Sequence, residues 1–383
     1  MKPCGARVSM PAGSEAMRKE KNLLVLVHGG SYDSHILRGT SFAFGGILRS
    51  GAAGLRGASF EKEKGDVKRL RVALIAGGVS GEREVSVKSG DAVQKALDPK
   101  KYEVKRYDPR DHLSLLLKNS GNADLALILL HGRYGEDGSM QGLLDLLGIP
   151  YVGSGILGSA MAMNKRVAKS MFRAQGLLVA DDVLLNRGEP YSSEQILNRL
   201  GSSTVVKPAS EGSSIGVTIC HSEEELIKGI DTAFQHDQEI LVERFLNGKE
   251  ITCCVLGNES LEALPVIEIV PDAKYSFFDY QAKYTPGATS ERCPARISRS
   301  QTEKAQSCAI RAHRALQCRD WSRTDMILHK GRVYVLETNT IPGMTETSLV
   351  PLAARTAGMT FSQLVDRLIG FCLERGKTPL RKG

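Results

Sequence analysis

Long apolar runs, paired cysteines and clustered charge are all scarce in this chain of 383 residues. The longest apolar stretches, such as Leu23–Val27 and Leu125–Leu130, fall far short of the ~20 residues that span a bilayer. Met1–Glu20 is basic but has no apolar core and no cleavage-like ending, which argues against a secretory signal. Eight cysteines, at positions 4, 220, 253, 254, 293, 308, 318 and 372, include no C-x-x-C pair and no His spacing of a zinc site. They read as reduced, mostly buried thiols of a cytoplasmic protein. A basic face for nucleic acid is missing as well. The formal net charge is +8, but residues 1–70 carry +6 of it, leaving 39 basic against 37 acidic side chains in the rest. The expected partners are therefore small molecules, with neither nucleic acid nor membrane.

What remains is ordinary for a soluble protein of two or three domains, with 42% hydrophobic and 25% charged residues. Residues 1–70 are rich in Gly, Ser, Ala and Arg with little apolar periodicity, and are expected to be a disordered extension or a wrongly chosen upstream start. From Arg71 the pattern changes. Strands at Arg71–Ala76, Asp124–Leu130 and Pro150–Val152 alternate with helices at Glu82–Leu97 and Gly138–Leu147, which predicts a parallel α/β unit over 71–163. A second unit, 164–243, has a helix at Asn164–Gln175, strands at Thr204–Lys207, Val217–Cys220 and Glu239–Glu243, and a helix at Ser222–Phe234. Ser222 and Glu225 form its capping signal. A third, 244–376, is expected to hold strands at Glu250–Leu256, Ala263–Val270, Arg323–Leu328 and Val333–Asn339, with helices at Gln301–Leu316 and Thr360–Glu374; residues 377–383 are a tail.

The segment W-S-R-T-D-M-I-L-H-K-G-R-V-Y-V-L-E-T-N, from Trp321 to Asn339, is the most informative. Side chains two apart on a strand share a face, so Arg323 pairs with Asp325 and Glu337 with Asn339. A hairpin folded about Gly331 sets Asp325 opposite Glu337 and Arg323 opposite Asn339. Two carboxylates and an amide oxygen are hard ligands, suited to Mg²⁺ that also holds nucleotide phosphates. The alternative is a surface hairpin with an Arg–Asp pair. The stretch V-V-K-P-A-S-E-G-S-S-I-G, Val205 to Gly216, delivers Lys207 and then a small-residue loop rich in backbone N–H donors, the chemistry of a phosphate clamp. No G-K-[ST] ends it, so it is not a Walker A loop. An ordinary Gly/Ser hairpin is the competing reading. Glu243 and Leu246, at the end of the next strand, suit the amine, ribose and ring of adenosine, although a Glu there is commonly solvated.

Several motifs in this order resemble the D-alanine–D-alanine ligase family of ATP-grasp enzymes. They are G-G-V-S-G-E-R-E-V-S from Gly77, H-G-R-Y-G-E-D-G from His131, K-P-A-S-E-G-S-S-I-G from Lys207, D-Y-Q-A-K-Y from Asp279 and E-T-N-T-I-P-G-M-T-E-T-S-L-V-P from Glu337. The resemblance runs from Arg71 to about Leu373 and implies an α/β fold with α+β elements: a parallel N-terminal domain, a small central nucleotide-clamping domain and a C-terminal antiparallel-sheet domain. It implies an ADP-forming ligase that joins two D-alanines through an acyl phosphate for peptidoglycan synthesis. ATP would be held by Lys165, Lys207, Glu243, Leu246, Glu250 and Lys283. Two Mg²⁺ ions, with Mn²⁺ a possible replacement, would lie on Asp325, Glu337 and Asn339. Glu82 would take the ammonium of the first D-alanine, with Ser213 linking it to Tyr284. Arg323 and the Gly343 N–H would hold the oxyanion, and Ser348 and Leu349 the second carboxylate. His131 either lines the site or is a satisfied strand-end histidine. Lys283 and Tyr284 fall on 272–289, a long aperiodic segment expected to be a closing loop. A homodimer is the expected assembly. Alternatives are a D-alanyl-D-lactate or D-alanyl-D-serine ligase, against which Tyr284 counts, and a non-catalytic ATP-binding scaffold, against which the intact Arg323, Asp325, Glu337 and Asn339 count.

Overall fold

Alternation of buried strands with half-buried helices builds the first layer of the chain. The computed structural model describes residues 69–271 and 289–377. β1 (Leu70–Ile75), β2 (Tyr102–Tyr107), β3 (Leu125–Ile128) and β4 (Tyr151–Val152) form a parallel sheet in the order β2-β1-β3-β4. β3 and the Val72–Ile75 stretch of β1 read as unbroken apolar runs because helices cover both faces of a parallel sheet. α1 (Arg83–Ala96), α2 (Pro109–Lys118) and α3 (Ser139–Leu146) fill the crossovers, and α4 (Ile156–Met163) follows β4 and leads out of the sheet.

The second sheet is antiparallel, in the order β5-β8-β6-β7, from β5 (Asp182–Asn186), β6 (Thr204–Pro208), β7 (Thr218–Cys220) and β8 (Glu239–Arg244). It packs on α6 (Ser193–Leu200) and α7 (Glu223–Phe234) around Ile196, Leu226, Ile230 and Val242. Ser222 caps α7 through the Glu225 N–H, but Glu225 returns its carboxylate to His221 rather than closing the box on Ser222. α5 (Lys165–Ala174) precedes this sheet.

The third sheet is antiparallel, in the order β12-β11-β9-β13-β14, with β10 on β9. Its strands are β9 (Lys249–Gly257), β10 (Leu261–Ala263), β11 (Ile267–Pro271), β12 (Thr289–Arg292), β13 (Trp321–His329) and β14 (Arg332–Asn339). The single strand expected over Ala263–Val270 is two, because Pro265 has no N–H to donate to a ladder. One face of this sheet packs on α8 (Arg299–Ala315), whose Ala305, Ala309 and Ala312 let the helix approach closely, and on Phe172 of α5. α9 (Leu349–Thr356) and α10 (Phe361–Lys377) follow. Leu364, Val365, Leu368 and Ile369 of α10 join a core shared by the first sheet and by Cys254, Leu256, Ile267 and Trp321 of the third, with α10 against α1, β4 and α9.

The seven cysteines among the described residues are free thiols, and burial pushes each of them above its ordinary pKa. Among the described residues no helix is long and apolar enough to cross a membrane. Residues 1–68, 272–288 and 378–383 lie outside the described residues, and with them the expectations for the N-terminal extension, the closing loop and the tail.

Candidate active site

The turn between β13 and β14 consists of Lys330 and Gly331, both at positive φ (48° and 74°), the two-residue geometry that suits hairpin twist. Pairing runs from His329 with Arg332 to Met326 with Val335, then slips by one, so that Asp325 faces Glu337 and Arg323 faces Asn339. Leu336 is the extra residue of this bulge. In an unbroken strand Glu337 and Asn339 would share the face of Val333 and Val335, which are buried in the core. The slip moves them to the polar face. The expected opposition is present, but the bulge produces it rather than a fold about Gly331.

Asp325 is gripped from three strands. Arg323 donates to both its oxygens (Nε 2.9 Å, Nη2 2.7 Å), Thr252 on β9 donates at 2.6 Å, and Asn339 donates its amide N–H at 3.2 Å. The Asn339 carbonyl oxygen is thereby left as the acceptor end of that amide. Burial opposes the Arg323 charge, but Asp325 outweighs it and raises the guanidinium pKa. The Lys165 ammonium lies 3.8 Å from Glu337. Among the described residues no group of three or more His, Cys, Asp or Glu side chains could hold a metal ion.

Lys165, Lys207, Glu243, Leu246, Glu250, Asp325 and Glu337 line one cavity between the second and third sheets, and Leu336 joins them. Lys165 opens α5, where the Asn164 side chain caps the Val167 N–H (3.0 Å). Its ammonium donates to the Glu211 carbonyl. The Gly/Ser loop has two sides. Gly212 and Ser214 line the cavity, while the Ser213 hydroxyl donates to the Glu82 carboxylate at the start of α1. Ser213 and Ser214 hold positive φ (48° and 59°) to make that turn.

Around Glu82 the chain is tight. A Cβ on Gly132, at φ +68°, would lie 2.9 Å from its carboxylate, so both the backbone angle and the space call for glycine. The Gly132 N–H donates to Glu136 (2.8 Å). Burial, and then the Glu82 charge, push the Glu136 carboxyl up to about 8, against the pull of the Gly132 N–H and Arg323. Burial lowers the His131 pKa, against the Glu82 charge, and its Nε2 has no hydrogen-bond partner among the described residues. Ser348 leads into α9, and its Oγ accepts the Thr345 N–H at 3.0 Å. A Cβ on Gly343 would meet that Oγ at 3.0 Å. The Met344 N–H donates to Ser89 of α1 (3.3 Å), tying this loop to the helix that Glu82 begins. Leu349 is the first residue of α9 and is buried.

Glu82, Ser213, Arg323, Asn339, Gly343 and Ser348 do not line the cavity, and Lys283 and Tyr284 lie outside the described residues. Sequence reasoning missed Thr252, Leu336, Glu136 and Lys169. Thr252 was within reach, since it shares a strand face with Glu250. Lys169 was too, because residues 165, 168, 169 and 172 form the buried stripe of α5.

A parallel α/β unit followed by two antiparallel sheets that enclose such a cavity defines an ATP-grasp enzyme. Residues 171–370 match the family model described as D-ala D-ala ligase C-terminus, and residues 110–154 the one described as D-ala D-ala ligase N-terminus. The chain belongs to the D-alanine–D-alanine ligase family. It is 53% identical over 307 residues to the D-alanine–D-alanine ligase of Syntrophobacter fumaroxidans, covering 80% of this chain and 99% of that protein. It is 54% identical over 312 residues to that of Desulfotalea psychrophila, covering 81% and 97%. Among solved structures, the Bacillus anthracis D-alanine–D-alanine ligase complexed with ATP superposes with a TM-score of 0.71 at 35% identity, covering 80% of this chain and 99% of that one. The VanG D-Ala:D-Ser ligase from Enterococcus faecalis gives 0.68 at 31%, covering 80% and 100%.

Proposed function

We propose that the chain joins two D-alanines into D-alanyl-D-alanine at the expense of ATP, for peptidoglycan precursor synthesis. The observation that carries this reading is the single cavity of Lys165, Lys207, Glu243, Leu246 and Glu250 with Asp325 and Glu337, whose loop also reaches Glu82 through Ser213. A carboxylate is a poor electrophile and must be activated. The carboxylate oxygen of the first D-alanine attacks the γ-phosphorus, ADP leaves, and Lys165 and Lys207 offset charge on the transferring group. Glu82 holds the ammonium of that substrate. The amine of the second D-alanine then attacks the acyl carbon, loses a proton and expels phosphate. Arg323 and the Gly343 N–H stabilise the oxyanion. The start of α9 at Ser348 and Leu349 receives the second carboxylate, where backbone N–H groups and the helix dipole favour an anion.

The donor set fits Mg²⁺. Asp325, Glu337 and the Asn339 oxygen are hard ligands on one face, too few for an all-protein cage but sufficient beside nucleotide phosphates. Two Mg²⁺, or Mn²⁺, would be held there, supplying charge neutralisation at the phosphates. The same reading includes Lys283 and Tyr284 on the closing loop, a homodimer, and the cytoplasm as the site of action.

The test is phosphate release from ATP and Mg²⁺ with each candidate second substrate. D-Alanine alone should support rapid release and yield the dipeptide. Faster release when D-lactate or D-serine is added to D-alanine, with the mixed product formed, would transfer the assignment to those ligases. ATP binding without turnover on any substrate would leave only a scaffold.

A further inference from the structure

Among the described residues, Lys169 is the most deeply buried cation that this reading does not use. It lies one turn beyond Lys165 on α5, is 2% exposed, and does not line the cavity. Its ammonium is 2.5 Å from Glu243 Oε1 and 3.1 Å from Asp182 Oδ1. Glu243 is itself 4% exposed, and its other oxygen takes Lys207 at 2.9 Å. The carboxylate is thus held from two sides, by Lys207 from the cavity wall and by Lys169 from α5 behind it.

The ladder explains why a cation is needed behind. Asp182 on β5 stands directly opposite Glu243 on β8. Like charges in such a pair repel, and Lys169 bonds to both. Arg173 reaches Asp182 from the exposed side. Burial pulls the Lys169 pKa down against the pull of Glu243, while for Glu243 the charges of Lys207 and Lys169 outweigh burial and lower its pKa. The two lysines have different freedom. Lys207 faces the cavity, where the phosphates of a bound nucleotide would compete for its ammonium. If Lys207 were the sole counter-ion, Glu243 would be left buried and uncompensated whenever Lys207 turned to a phosphate. It would then take up a proton and present an O–H donor.

We infer that Lys169 is a positioning residue for nucleotide-base selection: it keeps the Glu243 carboxylate fixed as an acceptor for the exocyclic amine of adenine. This rests on the assignment of Glu243 to the adenine edge. A fixed carboxylate accepts from a 6-amino group and repels a 6-oxo group, so ATP is favoured over ITP. With Lys169 gone, Glu243 swings or protonates, and that preference narrows.

Steady-state kinetics of the full-length protein with ATP and with ITP, at saturating D-alanine and Mg²⁺, tests this in Lys169→Met, Lys169→Arg and Glu243→Gln. Lys169→Met is expected to raise KM for ATP about tenfold and narrow the ATP:ITP ratio of kcat/KM by a similar factor. KM for D-alanine should stay unchanged, and Lys169→Arg should recover most of the ratio. A folded Lys169→Met with the wild-type ratio overturns the inference. If Glu243→Gln also leaves the ratio unchanged, the assignment of Glu243 has failed; if Glu243→Gln narrows it and Lys169→Met does not, only the role of Lys169 has. Should Lys169→Met not fold alone, it is made in the Glu243→Gln background, where no Glu243 charge is orphaned. There it should leave the ratio where Glu243→Gln put it, and a further shift overturns the proposal.

Discussion

Glu136 and His131 lie five residues apart in one loop, and only one of them is conspicuous in the sequence. A glutamate after Gly-Arg-Tyr-Gly reads as solvated. It is brought inward because Gly132, at positive φ, turns the chain back and donates to it. The consequence is a carboxyl pushed up to about 8, beside Glu82. Below that pH Glu136 is protonated, and Glu82, in the role proposed for it, would face the substrate ammonium without a second carboxylate charge beside it. Above it Glu136 ionises and adds a negative charge where phosphoryl transfer already gathers anions. The expected outcome is a fall in kcat/KM for D-alanine as pH rises through about 8. Glu136→Gln, which mimics the protonated form, should be flat across the same range. A fall that persists in the variant would assign it to another group, such as the substrate amine.

Elements were legible in proportion to how completely one face is buried. β1, β3, β9 and β13 announce themselves by apolar pattern, whereas β2, exposed along one side and carrying Glu103, Lys105 and Arg106, does not. The β13–β14 hairpin is the instructive case. Val333, Val335, Glu337 and Asn339 are all odd-numbered, so a regular strand cannot bury the first two and present the last two to a ligand. That conflict in the sequence is itself the signature of the bulge at Leu336. The bulge makes Glu337 a site residue rather than a core residue, so replacing its charge should spare the fold. If Glu337 holds Mg²⁺ as proposed, Glu337→Gln is expected to reduce kcat roughly a hundredfold or more, since a ligand to a charge-neutralising cation is worth several kcal/mol. Its thermal melt should stay close to wild type. Near-normal turnover at ordinary Mg²⁺ would remove Glu337 from the metal set.

At the scale of the whole molecule, amphipathic periodicity says that α10 has a buried face but not which sheet receives it. The chain returns over the first sheet at its end, where Lys101 and Tyr102 bond Asp366 near the surface and a buried ion pair sits deeper. Asp320, fully buried just before β13, accepts from the Gly153 N–H (2.8 Å) and the Asn258 amide (3.0 Å), and it pairs with Arg375 of α10 at 3.0 Å. Arg375 also donates to the Tyr151 and Gly153 carbonyls, at 2.6 and 3.3 Å. This one side chain therefore ties the last helix, β4 and the entry to the third sheet together. Burial raises the Asp320 pKa, and Arg375 is the largest of the groups that oppose it. Removing Arg375 leaves a buried carboxylate short of its partner, a loss of about 3–5 kcal/mol for a pair of this kind. Arg375→Met should lower the urea midpoint accordingly while leaving KM for ATP unchanged, since the nucleotide cavity is lined by other residues. The sign of the pH dependence follows from the raised pKa. Asp320 ionises more readily in the unfolded chain than in the folded one, so the loss should be small near pH 4 and grow as pH rises towards neutrality. Adding Asp320→Asn should recover part of the loss at pH 7 and little at pH 4. Equal losses at both pH values would mean that Arg375 acts through its carbonyl hydrogen bonds and not through the Asp320 charge.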